Sequence, residues 1–261
     1  MTVVVITGST RGIGLGLAEA FLARDCAVVV SGRTQTTVEE ACGNLRIKHP
    51  NGQVFGCPCD TTDFSQVETL WKATKAHYSE VNIWINNAGV AHPQADFWQQ
   101  EPELLQQVVN TNILGAMYGT MVAMRGMQEQ GFGSIYNLEG LGSDGRILPG
   151  MALYGMTKAG LRYLDDALIK EAQKTPVRVG VIRPGMVVTE LVTAQFSGRP
   201  QDWERFQPIL NLIAERVEVV TPWIVQKILT NKKNGAHLSY SNPLKLLGKF
   251  LQVPFRKSKG K

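Results

Sequence analysis

Charged residues make up only 19% of the 261-residue sequence, which also has just four cysteines and four histidines. These scarcities exclude several kinds of protein before any motif is read. Cys26, Cys42, Cys57 and Cys59 form no C-x-x-C pair, so neither a zinc site nor a disulfide framework is implied, and all four read as small buried apolar residues in a reducing compartment. No apolar run approaches the roughly 18 residues that a membrane span needs. The opening "MTVVVITG" is strand-like by its third residue and leaves no room for a targeting segment, so the expected location is cytoplasmic. Most of the chain also lacks an excess of one charge. The net +5 arises in the tail, where Lys245, Lys249, Arg256, Lys257, Lys259 and Lys261 stand without an acid among them. A nearly neutral body argues against nucleic acid as a partner.

What the sequence does have is alternation. Short runs rich in Val and Ile, at Val3 to Ile6, Ala27 to Val30, Gln53 to Cys57, Val81 to Ile85, Ser134 to Leu138 and Val177 to Ile182, are separated by longer helical patterns. Runs without polar alternation suit strands covered on both faces, so the expected fold is α/β, one domain over 1–241 with a doubly wound parallel sheet. From Glu190 to Arg216 the pattern loosens through "FSGRPQDWERFQ", a segment that reads as a substrate lid or as an ordinary surface excursion.

"VVVITGSTRGIGLGLAEAF" passes from strand through a glycine-rich turn into a helix. Gly8, Gly12 and Gly14 permit a tight turn and close backbone approach to a pyrophosphate, which the N–H groups at the helix start can hold. Their spacing is G-x-x-x-G-x-G. At the end of the second predicted strand, "VVVSGRT" offers no acid for the ribose hydroxyls of NAD but does offer Arg33, and Arg11 lies inside the glycine turn; two guanidiniums suit the extra phosphate of NADP(H). "YGMTK" sets Tyr154 and Lys158 four residues apart on one helix face, where a cation can favour the ionised phenol and so ready it for proton transfer.

Together, "TGSTRGIG", "NNAG" at Asn86 to Gly89, Asn112 in "NTNILG", "YGMTK" and "PGMVVT" resemble the short-chain dehydrogenase/reductase family over about residues 1 to 195. The resemblance implies a single-domain Rossmann fold with NADP(H) as hydride carrier and a homo-oligomer, dimer or tetramer. Tyr154 would be the acid/base, helped by Lys158 and by Asn112, which holds a water. The cofactor would lie along Gly8, Ser9, Thr10, Arg11, Gly12, Ile13 and Gly14, with Arg33, Asp60 by the adenine, Asn87, Ala88 and Gly89, Tyr154, Lys158, and Pro184, Gly185 and Thr189.

One departure stands out. The family's serine, which holds the substrate oxygen, is replaced by Gly140 in "YNLEGLGSDG". Ser143 takes the role, or backbone N–H groups of the turn do, or the role is vacant and the chain is a non-catalytic NADPH-binding protein. Glu139 beside it is an awkward neighbour for an oxyanion. The glycines at 140, 142 and 145 leave room for a wide, flat substrate, and this stretch resembles the chlorophyll b reductase branch of the family, which implies reduction of a formyl group to hydroxymethyl on a large hydrophobic carbonyl substrate. The alternative is a reductase of other ketones, steroids or acyl thioesters. In the tail, 242–261, Leu244, Leu247 and Leu251 share a face opposite Lys245 and Lys249; such a basic amphipathic segment either touches a membrane surface peripherally or packs on its own domain or a sister subunit.

Overall fold

The six Val/Ile runs become strands of one seven-stranded sheet, buried along most of their length except at the edge strand Val54–Gly56. The structure is a computed structural model and describes residues 1–196 and 200–240; the amphipathic tail at 242–261 lies outside the described residues. In chain order the elements are β1 (Val3–Ile6), α1 (Gly12–Leu22), β2 (Ala27–Val30), α2 (Gln35–Lys48), β3 (Val54–Gly56), α3 (Phe64–Tyr78), β4 (Ile83–Asn86), α4 (Pro102–Val109), α5 (Gly115–Gln130), β5 (Gly133–Leu138), α6 (Ala152–Glu171), β6 (Val177–Arg183), α7 (Glu190–Thr193), α8 (Pro200–Ile213), α9 (Val217–Thr230) and β7 (Ala236–Ser239). The final strand, "AHLS", is too short and polar to stand out in the sequence. All six strand pairs are parallel, in the order β3-β2-β1-β4-β5-β6-β7. Among the described residues no helix is long and apolar enough to cross a membrane.

Successive strand residues point to opposite faces, and each face has its own core. Val4, Ile6, Val28 and Val30 pack with Leu17 and Phe21 of α1, Val38 and Leu45 of α2 and Ile224 and Ile228 of α9. Val5, Val29, Trp84 and Ile135 pack on the other face with Val67 and Leu70 of α3 and Ala123 and Met127 of α5. Burial on both faces is what removes polar alternation from the strands. The fold is therefore the single-domain, doubly wound Rossmann type.

Strand order reverses between β1 and β4, and ligands of open α/β sheets bind in the crevice beyond the carboxyl ends of the strands at such a switch. Three segments meet there: the turn after β1, the loop after β4 and the residues after β6. Beyond β6, an isolated parallel bridge ties residues 186–188 to Glu215: Val188 N–H donates to Glu215 O at 2.9 Å and Glu215 N–H to Met186 O at 2.9 Å. Phe196 stacks near Phe206, ring centroids 4.8 Å apart, with Trp203 beside it.

Candidate active site

The glycine turn is built to keep side chains out. Gly8 and Gly12 have left-handed φ values of +61° and +56°; a Cβ on Gly8 would stand 2.8 Å from Ala88 Cα, and one on Gly14 would collide with the Gly8 carbonyl. Ser9 fastens the turn by donating to Ile6 O at 2.7 Å and accepting Ser31 N–H at 2.9 Å. Asn87 Nδ2 donates to the carbonyls of Thr7 and Gly8, at 2.8 and 2.9 Å, while the Asn87 and Ala88 N–H groups both reach Thr7 Oγ1 at 3.1 Å. "NNAG" thus braces the glycine turn, and α1 opens at Gly12 with its first N–H groups facing the crevice end of the sheet.

The remaining expected positions collect around this cradle. Thr10 packs at Gly32 beyond β2, and Ile13 leans on the core. Thr189 lies beside Gly12, its methyl 3.7 Å from where a Cβ would be. Pro184 is buried, and Gly185, with φ +78°, turns the chain from β6 toward Thr189. A Cβ on Gly89 would lie 3.4 Å from Asn112 Oδ1 and 3.9 Å from Lys158 Nζ, so the loop after β4 reaches α6. Asp60 takes the Thr62 N–H and hydroxyl on Oδ1, at 2.9 and 2.8 Å. Arg33 is exposed at the end of β2, and Arg11 is exposed in the turn, 2.8 Å from Glu190 at the start of α7. A side-chain-free cradle at a helix start, with one exposed guanidinium in its turn and another beyond β2, fits NADP(H).

Tyr154 and Lys158 sit one turn apart near the start of α6, 8% and 5% exposed. Lys158 Nζ lies 5.8 Å from the Tyr154 ring centroid and donates to Leu138 O at the end of β5, at 2.9 Å. Burial pushes the Tyr154 phenol up to about 12 and the Lys158 ammonium down to about 8, with Asp165 and Glu139 opposing the latter shift. In the protein alone, desolvation outweighs the neighbouring cation at the phenol. Asn112, on a π-helical turn at Asn110–Leu114 between α4 and α5, accepts Val90 N–H at 2.8 Å and donates to Val90 O at 2.9 Å and Thr157 Oγ1 at 3.2 Å. Its side chain is spent on aligning the loop after β4 with α6.

Gly140 lies directly against Tyr154. Ser143 is buried and its hydroxyl faces the Glu139 carboxylate, helping to hold its charge. Glu139 itself, 2% exposed, pairs with Arg183 and approaches Arg162 Nε at 3.8 Å, so its charge is drawn under the turn and away from the crevice; burial still raises its carboxyl above the usual range. A further buried chain runs behind the site. Trp84 Nε1 donates to Asn86 Oδ1 at 2.8 Å, Asn86 Nδ2 to Asn137 Oδ1 at 2.7 Å, and Asn137 Nδ2 to Asp165. Burial pushes Asp165 up to about 7, against the Asn137 hydrogen bond. No local pattern in the sequence marks Thr157, Asp165 or the Glu139–Arg183 pair as part of the site, because each acquires its partner from a distant element.

A family model described as short chain dehydrogenase matches residues 2–200. The chain belongs to the short-chain dehydrogenase/reductase family. It is 34% identical over 263 residues to the probable chlorophyll(ide) b reductase NYC1 of Arabidopsis thaliana, covering 94% of this chain and 51% of that protein. Similarity to the chlorophyll(ide) b reductase NOL of Oryza sativa subsp. japonica is 36% over 230 residues, 86% of this chain and 66% of the relative. The chain spans about half the length of NYC1 from either Arabidopsis thaliana or Oryza sativa subsp. japonica. Among solved structures, a single-residue variant of actinorhodin polyketide ketoreductase with NADPH superposes with a TM-score of 0.82 at 25% identity, over 93% of this chain and 97% of the other. Levodione reductase superposes at 0.83 and 21% identity, over 92% and 96%.

Proposed function

We propose that this short-chain oxidoreductase is an NADPH-dependent carbonyl reductase whose substrate is a large hydrophobic aldehyde, the formyl group of a chlorophyll b-like pigment, reduced to hydroxymethyl. The observation that carries the reading is the contact of a side-chain-free Gly140 with the Tyr154 hydroxyl, one helical turn from Lys158. When bound along the glycine turn, NADPH would supply the hydride for the carbonyl carbon. Tyr154 donates its proton to the carbonyl oxygen, and Lys158, charged below about 8, stabilises the phenolate as it forms. Because Ser143 faces Glu139, backbone N–H groups of the 140–142 turn hold the substrate oxygen in place of the family's serine.

Two features support a wide substrate. The turn from 140 to 145 has glycine at 140, 142 and 145 and Leu141 as its one large apolar residue, and the loops flanking it carry exposed apolar residues. Trp98 is 81% and Ile147 91% exposed, and these loops are tied together by Gln94 Nε2 donating to Pro149 O at 2.7 Å. Similarity to chlorophyll(ide) b reductases over most of this chain supports the same class. A second reading, a reductase of steroids or other ketones, is favoured by 30% identity to the 3alpha-hydroxysteroid dehydrogenase of Mediterraneibacter gnavus over 74% of the chain.

A substrate panel decides between them. Purified protein with NADPH is offered chlorophyllide b, a ketosteroid, an acyl thioester and a small ketone, with NADPH oxidation and product both followed. Conversion of the pigment formyl group is the expected result. Turnover of the steroid or thioester alone replaces the pigment reading with the second, and NADPH binding without consumption of any carbonyl leaves a non-catalytic binding protein. Assembly as a homodimer or tetramer belongs to the same proposal, and light scattering of the purified chain tests it.

A further inference from the structure

The catalytic helix begins without a cap of its own. Met151 stands at the N-cap, a side chain that cannot accept the free N–H groups of the first turn, and it makes no side-chain cap bond. Tyr154 is the third residue of that helix, so its own N–H is among those left without a carbonyl inside the helix. The acceptor comes from another element. His92, in the loop after β4 and 2% exposed, places Nε2 3.2 Å from the Tyr154 N–H, while its Nδ1 lies 2.8 Å from Pro93 O.

Only one form of the ring satisfies both contacts. The Tyr154 amide can only donate, so Nε2 accepts; the Pro93 carbonyl can only accept, so Nδ1 carries the proton. His92 is thus a neutral, single-tautomer bridge. A second clamp completes the frame from the other side. Asn112 joins Val90, two residues before His92, to Thr157, and the Thr157 hydroxyl donates to the Tyr154 carbonyl at 2.7 Å. Tyr154 is therefore held by both backbone polar groups, its N–H through His92 and its C=O through Thr157.

We infer that His92 is a positioning residue for Tyr154: its ring supplies the missing cap of α6 and fixes where the phenol stands in the crevice. His92 does not touch the reacting atoms and acts only through the Tyr154 backbone. The effect on rate rests on the reading of Tyr154 as proton donor, whereas the hydrogen bond itself does not.

Two amide side chains separate the two bonds of the ring. In His92→Gln the terminal amide oxygen reaches the former Nε2 position and can accept the Tyr154 N–H. In His92→Asn the shorter amide reaches only the former Nδ1 position and serves Pro93 alone. His92→Leu keeps neither bond. The variants are compared by hydrogen exchange of the peptide covering 152–158 in the protein without ligand, by NADPH binding, and by turnover of whichever carbonyl in the panel wild type reduces.

We expect the Tyr154 amide to exchange faster in His92→Asn and His92→Leu and to stay protected in His92→Gln. The first two lose about tenfold to a hundredfold in kcat, the scale of a slight misplacement of a catalytic group, with the NADPH Kd unchanged; His92→Gln recovers most of the loss. Equal protection of the Tyr154 amide in Gln and Asn variants overturns the inference, as does a loss carried by NADPH affinity instead of kcat. Exchange that follows the expected pattern with no change in turnover upholds the cap but overturns His92 as a positioning residue, while Tyr154→Phe separately tests the reading of Tyr154 as proton donor. If the Leu variant does not fold, the Gln and Asn pair still decides.

Discussion

A Cβ placed on Gly140 would stand 2.7 Å from the Tyr154 hydroxyl oxygen and 3.5 Å from Lys158 Cε. The position that usually carries the family's serine is thus closed to any side chain while Tyr154 keeps its place. The glycine is a steric requirement of this particular site.

Restoring the family residue should therefore harm the enzyme. Gly140→Ser and Gly140→Ala are both expected to lower kcat by about tenfold to a hundredfold, since either must push the phenol aside, while NADPH affinity is retained. Steady-state kinetics on the panel substrate checks this, and a serine variant faster than wild type would contradict it.

Tyr154→Phe should abolish carbonyl reduction and leave NADPH binding intact; unchanged turnover would remove the phenol from the mechanism. Lys158→Met should also abolish turnover. The reduction rate of wild type should fall as pH rises through about 8, because Lys158 is lowered to that value by burial and loses the charge that stabilises the phenolate above it. A pH–rate profile that stays flat from about one unit below that titration to about one unit above it would count against this role.

The two arginines predict the choice of cofactor. Arg11→Ala and Arg33→Ala should each weaken NADPH binding by roughly tenfold to a hundredfold, the equivalent of about 1.5–3 kcal/mol for a lost hydrogen bond to a charged group, and leave NADH binding nearly unchanged. Glu190 pairs with Arg11 at 2.8 Å in an exposed contact. Such pairs contribute about 0–1 kcal/mol, so Glu190→Gln should tighten NADPH by no more than about fivefold. Titrations of NADPH fluorescence measure all three, and equal losses for both cofactors would refute the phosphate assignment.

Asp165 should make stability depend on pH. Its folded-state pKa is raised to about 7 by burial, so the contribution is fully present below the unfolded value of roughly 3.9 and is lost as pH rises through about 7. Asp165→Asn removes this titration while still accepting from Asn137. The Tm of the variant relative to wild type should therefore rise between about pH 5 and about pH 8; a difference that does not change across that range would show that Asp165 stays ionised throughout.

Some of this was open to inspection in the chain itself. The six strand runs, the glycine turn and the Tyr154–Lys158 spacing are local patterns, and local sterics and periodicity are enough to produce them. The seventh strand was not legible, because "AHLS" becomes a strand only by pairing with β6. That the Ser143 hydroxyl helps to hold the Glu139 charge, and that Glu139 pairs with Arg183, 44 residues away, was not legible in the chain either. His92 carried no signal at all: its one close neighbour in sequence is Pro93, and its other partner is 62 positions distant.

By itself, then, the sequence determined the alternation of strand and helix, the bare phosphate-facing turn and the pairing of phenol with ammonium, since each depends on residues within a few positions of one another. Only the tertiary structure decided that desolvation outweighs the nearby cation at Tyr154, that the Glu139 charge is drawn under its turn, and that an imidazole closes the start of α6. Those outcomes depend on burial and on hydrogen bonds between distant segments, and neither exists until the sheet has brought the segments together.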